Sequence, residues 1–105
     1  MKVYRYEVID KDKRQGFLTA LDDYFNTDDI LKLCWFFEDK LPAPDVNMKN
    51  TISYFTEKGN RTFNKAIKQA KKAFIDKGLE FVCLIDDISP DKILYQDKYQ
   101  IIIEA

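Results

Sequence analysis

The stretch between residues 57 and 77 constrains this chain most. Phe63, Ala66, Ile67, Ala70, Ala73 and Phe74 recur there at offsets 0, 3, 4, 7, 10 and 11, which places them on one stripe of a long helix. Such a stripe must be covered. Thr56 stands where a hydroxyl caps a first helical turn, and Gly78, with Lys77 before it, stands where a glycine closes the last. Gly59 either costs the first turn up to about 1 kcal/mol relative to alanine or marks a later start near Asn60.

Most of the remaining chain reads as strand. In residues 2–9, Tyr4, Tyr6 and Val8 alternate with Val3, Arg5, Glu7 and Ile9, giving a strand with two usable faces. A charged turn over 10–16 ends at Gly16, and Phe17-Leu18-Thr19-Ala20-Leu21 reads as a second short strand. Ile52-Ser53-Tyr54-Phe55 is a short strand leading into the Thr56 cap. Residues 80–85 are apolar almost without interruption, the pattern of a central strand covered on both faces. After a loop at 86–91, residues 92–95 and 98–103 flank Gln96-Asp97 as a hairpin.

A second helix starts at Thr27-Asp28-Asp29, a hydroxyl cap followed by two acids at the positive end of the helix dipole. Its body, residues 30–37, is apolar nearly all round. Burial is the expectation for such a run, and the other outcome is an exposed aromatic cluster at Trp35, Phe36 and Phe37. Leu41-Pro42-Ala43-Pro44-Asp45 forces an extended path, so 38–50 is the longest loop. The expected fold is α+β: residues 1–105 as one domain, with a mixed or antiparallel sheet of four to six strands. One long helix, 57–77, and one shorter helix, 28–37, pack against it.

With 105 residues, 46% of them hydrophobic and 14% aromatic, the chain has enough apolar surface to offset the entropy of ordering. The formal net charge of −1 provides no global attraction to nucleic acid or to an anionic membrane. No apolar run approaches the roughly 20 residues needed to span a bilayer. The first seven residues alternate and carry charge, unlike a signal peptide, so a cytoplasmic protein is expected. Cys34 and Cys83 lie in apolar surroundings without a CxxC partner, which reads as two buried reduced thiols and no metal site.

The chain contains no histidine. That removes Ser-His and Cys-His nucleophile pairs, HExxH metal sites and the commonest general base. Gly16, Gly59 and Gly78 are isolated, so no glycine-rich phosphate loop exists either. No catalytic residue and no cofactor are expected.

Three groupings remain. Residues 58–77 carry seven basic side chains against Asp76 alone, a local charge of +6, and Lys65, Lys68 and Lys72 share one side. That face fits an acidic partner or a phosphate backbone, although a solvated helix face has the same look. Acid pairs at Asp22-Asp23, Asp28-Asp29, Glu38-Asp39 and Asp86-Asp87 read as surface acids and helix starts, because adjacent side chains diverge. Arg5 in the first strand reads as an ion pair with Glu7 or as an anion contact in a cleft.

Four segments in order resemble small phage and prophage proteins: Met1 to Glu7, Pro42-Ala43-Pro44-Asp45, Tyr54-Phe55-Thr56, and Ile93-Leu94-Tyr95 followed by Tyr99-Gln100-Ile101-Ile102. The order of a Tyr-Arg strand, a strand with Ser53 or Thr56 before a helix, and a polar residue on a late strand is also similar to the ADP-ribosyltransferase fold. That resemblance implies NAD contacts at Arg5 and at Ser53 or Thr56. It puts Gln100 at the position of the family's catalytic glutamate, so the implied domain is non-catalytic. The leading expectation is a non-enzymatic protein-binding module of a mobile element, monomeric or homodimeric, that inhibits or modulates a host or defence protein. Trp35, Phe36, Lys65, Lys68 and Lys72 would meet the partner. An NAD-binding domain using Arg5, Ser53, Thr56 and Gln100 is the first alternative, and nucleic-acid binding through the lysine face is the second.

Overall fold

The computed structural model describes the backbone of all residues except 26, 27, 45 and 48, and within the second helix it does not describe the side chains of 28–31 and 34. The Thr27 cap, the Asp28-Asp29 pair, the burial of Cys34 and the Asp45 end of the proline loop lie outside the described residues. The chain runs β1 (Lys2–Asp10), β2 (Lys13–Gly16), α1 (Phe17–Tyr24), α2 (Asp28–Lys40) and β3 (Thr51–Phe55). It continues through α3 (Glu57–Thr62), α4 (Asn64–Asp76), β4 (Glu80–Asp87), a 3-10 turn (Pro90–Lys92), β5 (Ile93–Gln96) and β6 (Gln100–Glu104). All strand pairs are antiparallel, in one six-stranded sheet, so the fold is α+β.

β1 organises the sheet. β4 pairs with it from Lys2↔Asp87 to Ile9↔Glu80 and so occupies one edge along its whole length. β2 and β3 therefore share the other edge. β2 takes residues 7–10, β3 touches only at Tyr4↔Phe55, and β6 and β5 follow beyond β3. Side chains alternate across the sheet and build two cores. One face is aromatic: Phe17, Phe37, Phe55, Phe63 and Phe74 pack with Val8 beneath the helices. The other is mostly aliphatic, with Val3, Tyr54, Ile88, Ile101 and Ile103.

Four expectations change, besides α2 running on to Lys40 and so shortening the loop expected at 38–50. Residues 17–21 open helix α1 instead of forming a strand. Phe17, Ala20 and Leu21 are its buried residues, and their offsets of 0, 3 and 4 are helical. The charged turn at 10–16 contracts to residues 11 and 12, because Lys13–Gly16 pairs with β1 as β2. The long helix breaks at Phe63, whose backbone (φ −99, ψ 9) separates α3 from α4. The break turns the Phe63 ring onto Phe37, Phe55 and Tyr99 at 5.6, 6.0 and 5.3 Å between centroids. The fourth change concerns residues 80–85. They form part of an edge strand with a largely exposed row of side chains, and not a central strand; Cys83 is exposed, not buried. Continuous apolar sequence indicates a buried strand only when neighbours cover both its edges and faces, and β4 has one neighbour among the described residues.

The ends of the helical pair follow the sequence. Thr56 Oγ1 accepts from the Gly59 N–H at 3.0 Å and donates to the Lys98 carbonyl at 2.7 Å. Gly78, at φ +85, closes α4: its N–H donates to Ile75 and that of Leu79 donates to Phe74, at 2.9 and 3.0 Å, the paired bonds of a Schellman motif. Gly59 is no fault. A Cβ built there would lie 2.0 Å from the Tyr99 carbonyl oxygen, so only glycine lets α3 rest directly on the β5–β6 turn.

Candidate functional site

Two concave regions hold the residues that the sequence singles out. The first lies between α2 and α4, because α2 splits its apolar run instead of burying it. Leu33 and Phe37 enter the aromatic core, while Trp35 is 58% exposed and Phe36 is 40% exposed. Phe36 touches the core only at its edge, against Phe37 and Phe63 at 5.7 and 6.0 Å. Beside it runs a groove of about 410 Å³ lined by Lys32, Leu33, Phe36, Thr62, Lys65, Ala66 and Gln69. Its floor is apolar, and among the described residues both charges in its lining are positive.

The structure thus brings Phe36 and Lys65 together. Trp35 sits on α2 between the groove residues Lys32 and Phe36, exposed to solvent. Lys68 and Lys72 are exposed on α4, and Lys72 continues the Lys65–Gln69 row by another turn. Among the described residues, Lys65, Lys68 and Lys72 have no ion-pair partner. Among those described residues the local charge at this face is left uncompensated.

The second region opens where β2 and β3 diverge along β1. It is a cavity of about 420 Å³ whose lining includes Tyr4, Arg5, Phe17, Ser53, Phe55 and Gln100. Three residues of the NAD-binding alternative, Arg5, Ser53 and Gln100, therefore meet around one space. Thr56 does not; its hydroxyl is committed to capping α3.

Arg5 is held from two sides. Its Nε donates to Glu7 Oε2 at 2.7 Å and its Nη1 to the Ser53 carbonyl at 3.0 Å. Arg14 Nε donates to the other Glu7 oxygen. Burial of Glu7 works against its charge, but hydrogen bonds from Arg5 and Arg14 outweigh it and hold the carboxyl below its ordinary range. The ion-pair reading of Arg5 is therefore correct, and Glu7 spends one oxygen on Arg5 and the other on Arg14. Gln100 is structural as well: its amide donates to the Pro42 carbonyl at 2.6 Å and to Asp97 Oδ2 at 3.0 Å, tying the proline loop to the sheet. No carboxylate stands among the described residues that line this cavity.

Nearby, Tyr6 donates to Asn60 Oδ1 across the aromatic face. Burial, with Cys83 next to it, pushes the phenol up to about 12. The phenol therefore stays a neutral donor. The acid pairs Asp22-Asp23, Glu38-Asp39 and Asp86-Asp87 are exposed, and among the described residues no three Cys, Asp or Glu side chains gather into a metal-binding group. Among them, too, no helix is long and apolar enough to cross a membrane. Comparison with family models, curated proteins and solved structures finds no match to this chain.

Proposed function

We propose that this domain is a non-enzymatic binding module whose α2–α4 groove receives an acidic, amphipathic segment of a partner protein. The observation that supports it is the juxtaposition of a half-exposed aromatic, Phe36, with a lysine-rimmed apolar groove. Aromatic anchors set in a polar rim carry much of the energy of small interfaces. The exposed Trp35 adds a second ring, and Lys65, Lys68 and Lys72 add a field that favours acidic partners and speeds their encounter. Read with the resemblance to phage and prophage proteins, the partner would be a host or defence protein that binding inhibits or modulates.

Trp35 is the chain's single tryptophan and makes the test direct. Titration with an amphipathic helical peptide rich in glutamate should shift its emission to the blue. Combined Lys65→Glu, Lys68→Glu and Lys72→Glu substitution should weaken that peptide at least tenfold, and Phe36→Ala comparably. Equal affinity for a lysine-rich peptide of the same apolar pattern would reject the reading. Tight binding of mixed-sequence DNA with a steep salt dependence would replace it with nucleic-acid recognition.

The second reading, a nucleotide site of ADP-ribosyltransferase type, is favoured by one observation: Arg5, Ser53 and Gln100 share the β2–β3 cavity. Heat released on titrating NAD, and lost in Arg5→Ala, would support it. With no carboxylate in the described lining, this reading is of binding without transfer.

A further inference from the structure

The sheet ends differently on its two sides, and the β4 side is the unusual one. β4 is eight residues long and pairs with β1 along its full length with no register shift. Its outer edge thus presents a regular row of backbone donors and acceptors with no strand beside it among the described residues. Natural edges are commonly blunted by proline, by lysine, by bulges or by shortness. Glu80-Phe81-Val82-Cys83-Leu84-Ile85-Asp86-Asp87 has no proline, glycine, lysine or arginine. Leu84 on one face is 37% exposed and Ile85 on the other is 59% exposed. Main-chain pairing with apolar contacts above and below is available along the middle of the strand.

Charge selects the occupant. Glu80 stands at one end of this edge and Asp86 and Asp87 at the other, all exposed. A second copy lying antiparallel would bring three more acids to the same seam, of which, among the described residues, only Asp87 has a cation beside it, the Met1 ammonium. Centred on Cys83, such a pairing sets Glu80 opposite Asp86, and like charges directly opposite destabilise a strand pair. Self-pairing is disfavoured, whereas a strand with an apolar middle and basic ends meets both requirements at once.

We propose that the outer edge of β4 is a strand-addition site for a protein partner, taking an extended segment with alternating apolar residues flanked by lysine or arginine. This surface is separate from the α2–α4 groove and opposite to it in charge. It stands or falls independently of that groove.

The probe is a ten-residue peptide with alternating Val and Thr in the middle and two lysines at each end. Isothermal titration up to millimolar peptide should show binding, and hydrogen exchange should show protection confined to β4 amides. Two analogues should lose at least tenfold in affinity: one with glutamates in place of the lysines, and one N-methylated at alternate residues, which removes main-chain donors on one edge and leaves the side chains in place. Leu84→Lys, on an exposed position, should weaken binding tenfold while leaving the thermal midpoint within a degree or two. Equal binding of the N-methylated analogue overturns the proposal, as does absence of binding at millimolar peptide. Concentration-dependent dimerisation of the protein through β4, seen as the same protection without peptide, also overturns it in favour of a second copy.

Discussion

The two margins of the sheet solve the same problem in opposite ways. At the β5 margin the chain closes on itself. β5 has four residues with a register shift between Ile93 and Tyr95, and Asp97 collects the turn that follows. One Asp97 oxygen accepts the N–H groups of Tyr99 and Gln100, and the other accepts the Tyr95 hydroxyl and the Gln100 amide. At the β4 margin polar side-chain bonds gather at one end, where the Met1 ammonium donates to Asp87 and to the Ile88 carbonyl. β4 is held by β1 and by one inward ring: Phe81 meets Tyr6, Phe74 and Phe17 at 5.8, 6.0 and 6.1 Å. An edge locked by local polar bonds has little left to offer a partner. An edge held by main-chain pairing on one side and by a half-buried ring keeps its outer row available.

The largest expected effect breaks the β4 side. Phe81→Ala removes the ring that anchors the strand and should cost about 3 kcal/mol in urea unfolding, the lower end for buried phenylalanine because Phe81 is only partly buried. A loss under 1 kcal/mol would mean that main-chain pairing with β1 suffices. Next comes the β5 side. Asp97→Ala leaves several donors without an acceptor and should cost about 1–3 kcal/mol, read from the thermal midpoint.

The same hub carries a pH signature. Burial opposes the charge of Asp97, but the bonds from Tyr99, Tyr95 and Gln100 outweigh it and lower its affinity for a proton. A carboxyl depressed in the folded state adds stability above its ordinary value, 3.8 for Asp97 and 4.5 for Glu7, and that stability disappears as pH falls through the lower folded value. Glu7→Gln and Asp97→Asn should each flatten the acid limb of stability below about pH 4.5. An unchanged acid limb in both variants would place acid sensitivity elsewhere. The smallest effect belongs to the exposed row: Ile85→Thr should change stability by no more than about 0.5 kcal/mol. A larger loss would show that Ile85 is covered within the domain itself.

Much of the local structure was legible because it depends on neighbours in sequence. The alternation of residues 2–9, the Thr56 cap and the Gly78 terminus each rest on interactions within a few residues and lie where the pattern puts them, and the expected hairpin forms with its turn shifted from Gln96-Asp97 to residues 97–99. The α1 helix is also legible, since Phe17, Ala20 and Leu21 repeat with helical offsets, but so short an apolar run after Gly16 fits a strand as well. Of the residues proposed for the sites, Phe36 and Lys65 prove adjacent, and so do Arg5, Ser53 and Gln100, while Thr56 serves a cap.

By itself, then, the sequence determined the alternation of β1, the Thr56 start and Gly78 stop of the helical pair, and the stripe from Phe63 to Phe74 that had to be covered. Tertiary structure alone decided that Gly59 lies under the Tyr99 carbonyl, that Glu7 is shared by Arg5 and Arg14, and that an apolar segment ends up at a margin instead of the middle. The physical reason is range. Caps, turns and periodicity are set over a few residues, whereas burial of a strand depends on which distant segment lies beside it, and β1 is the only described strand that reaches β4.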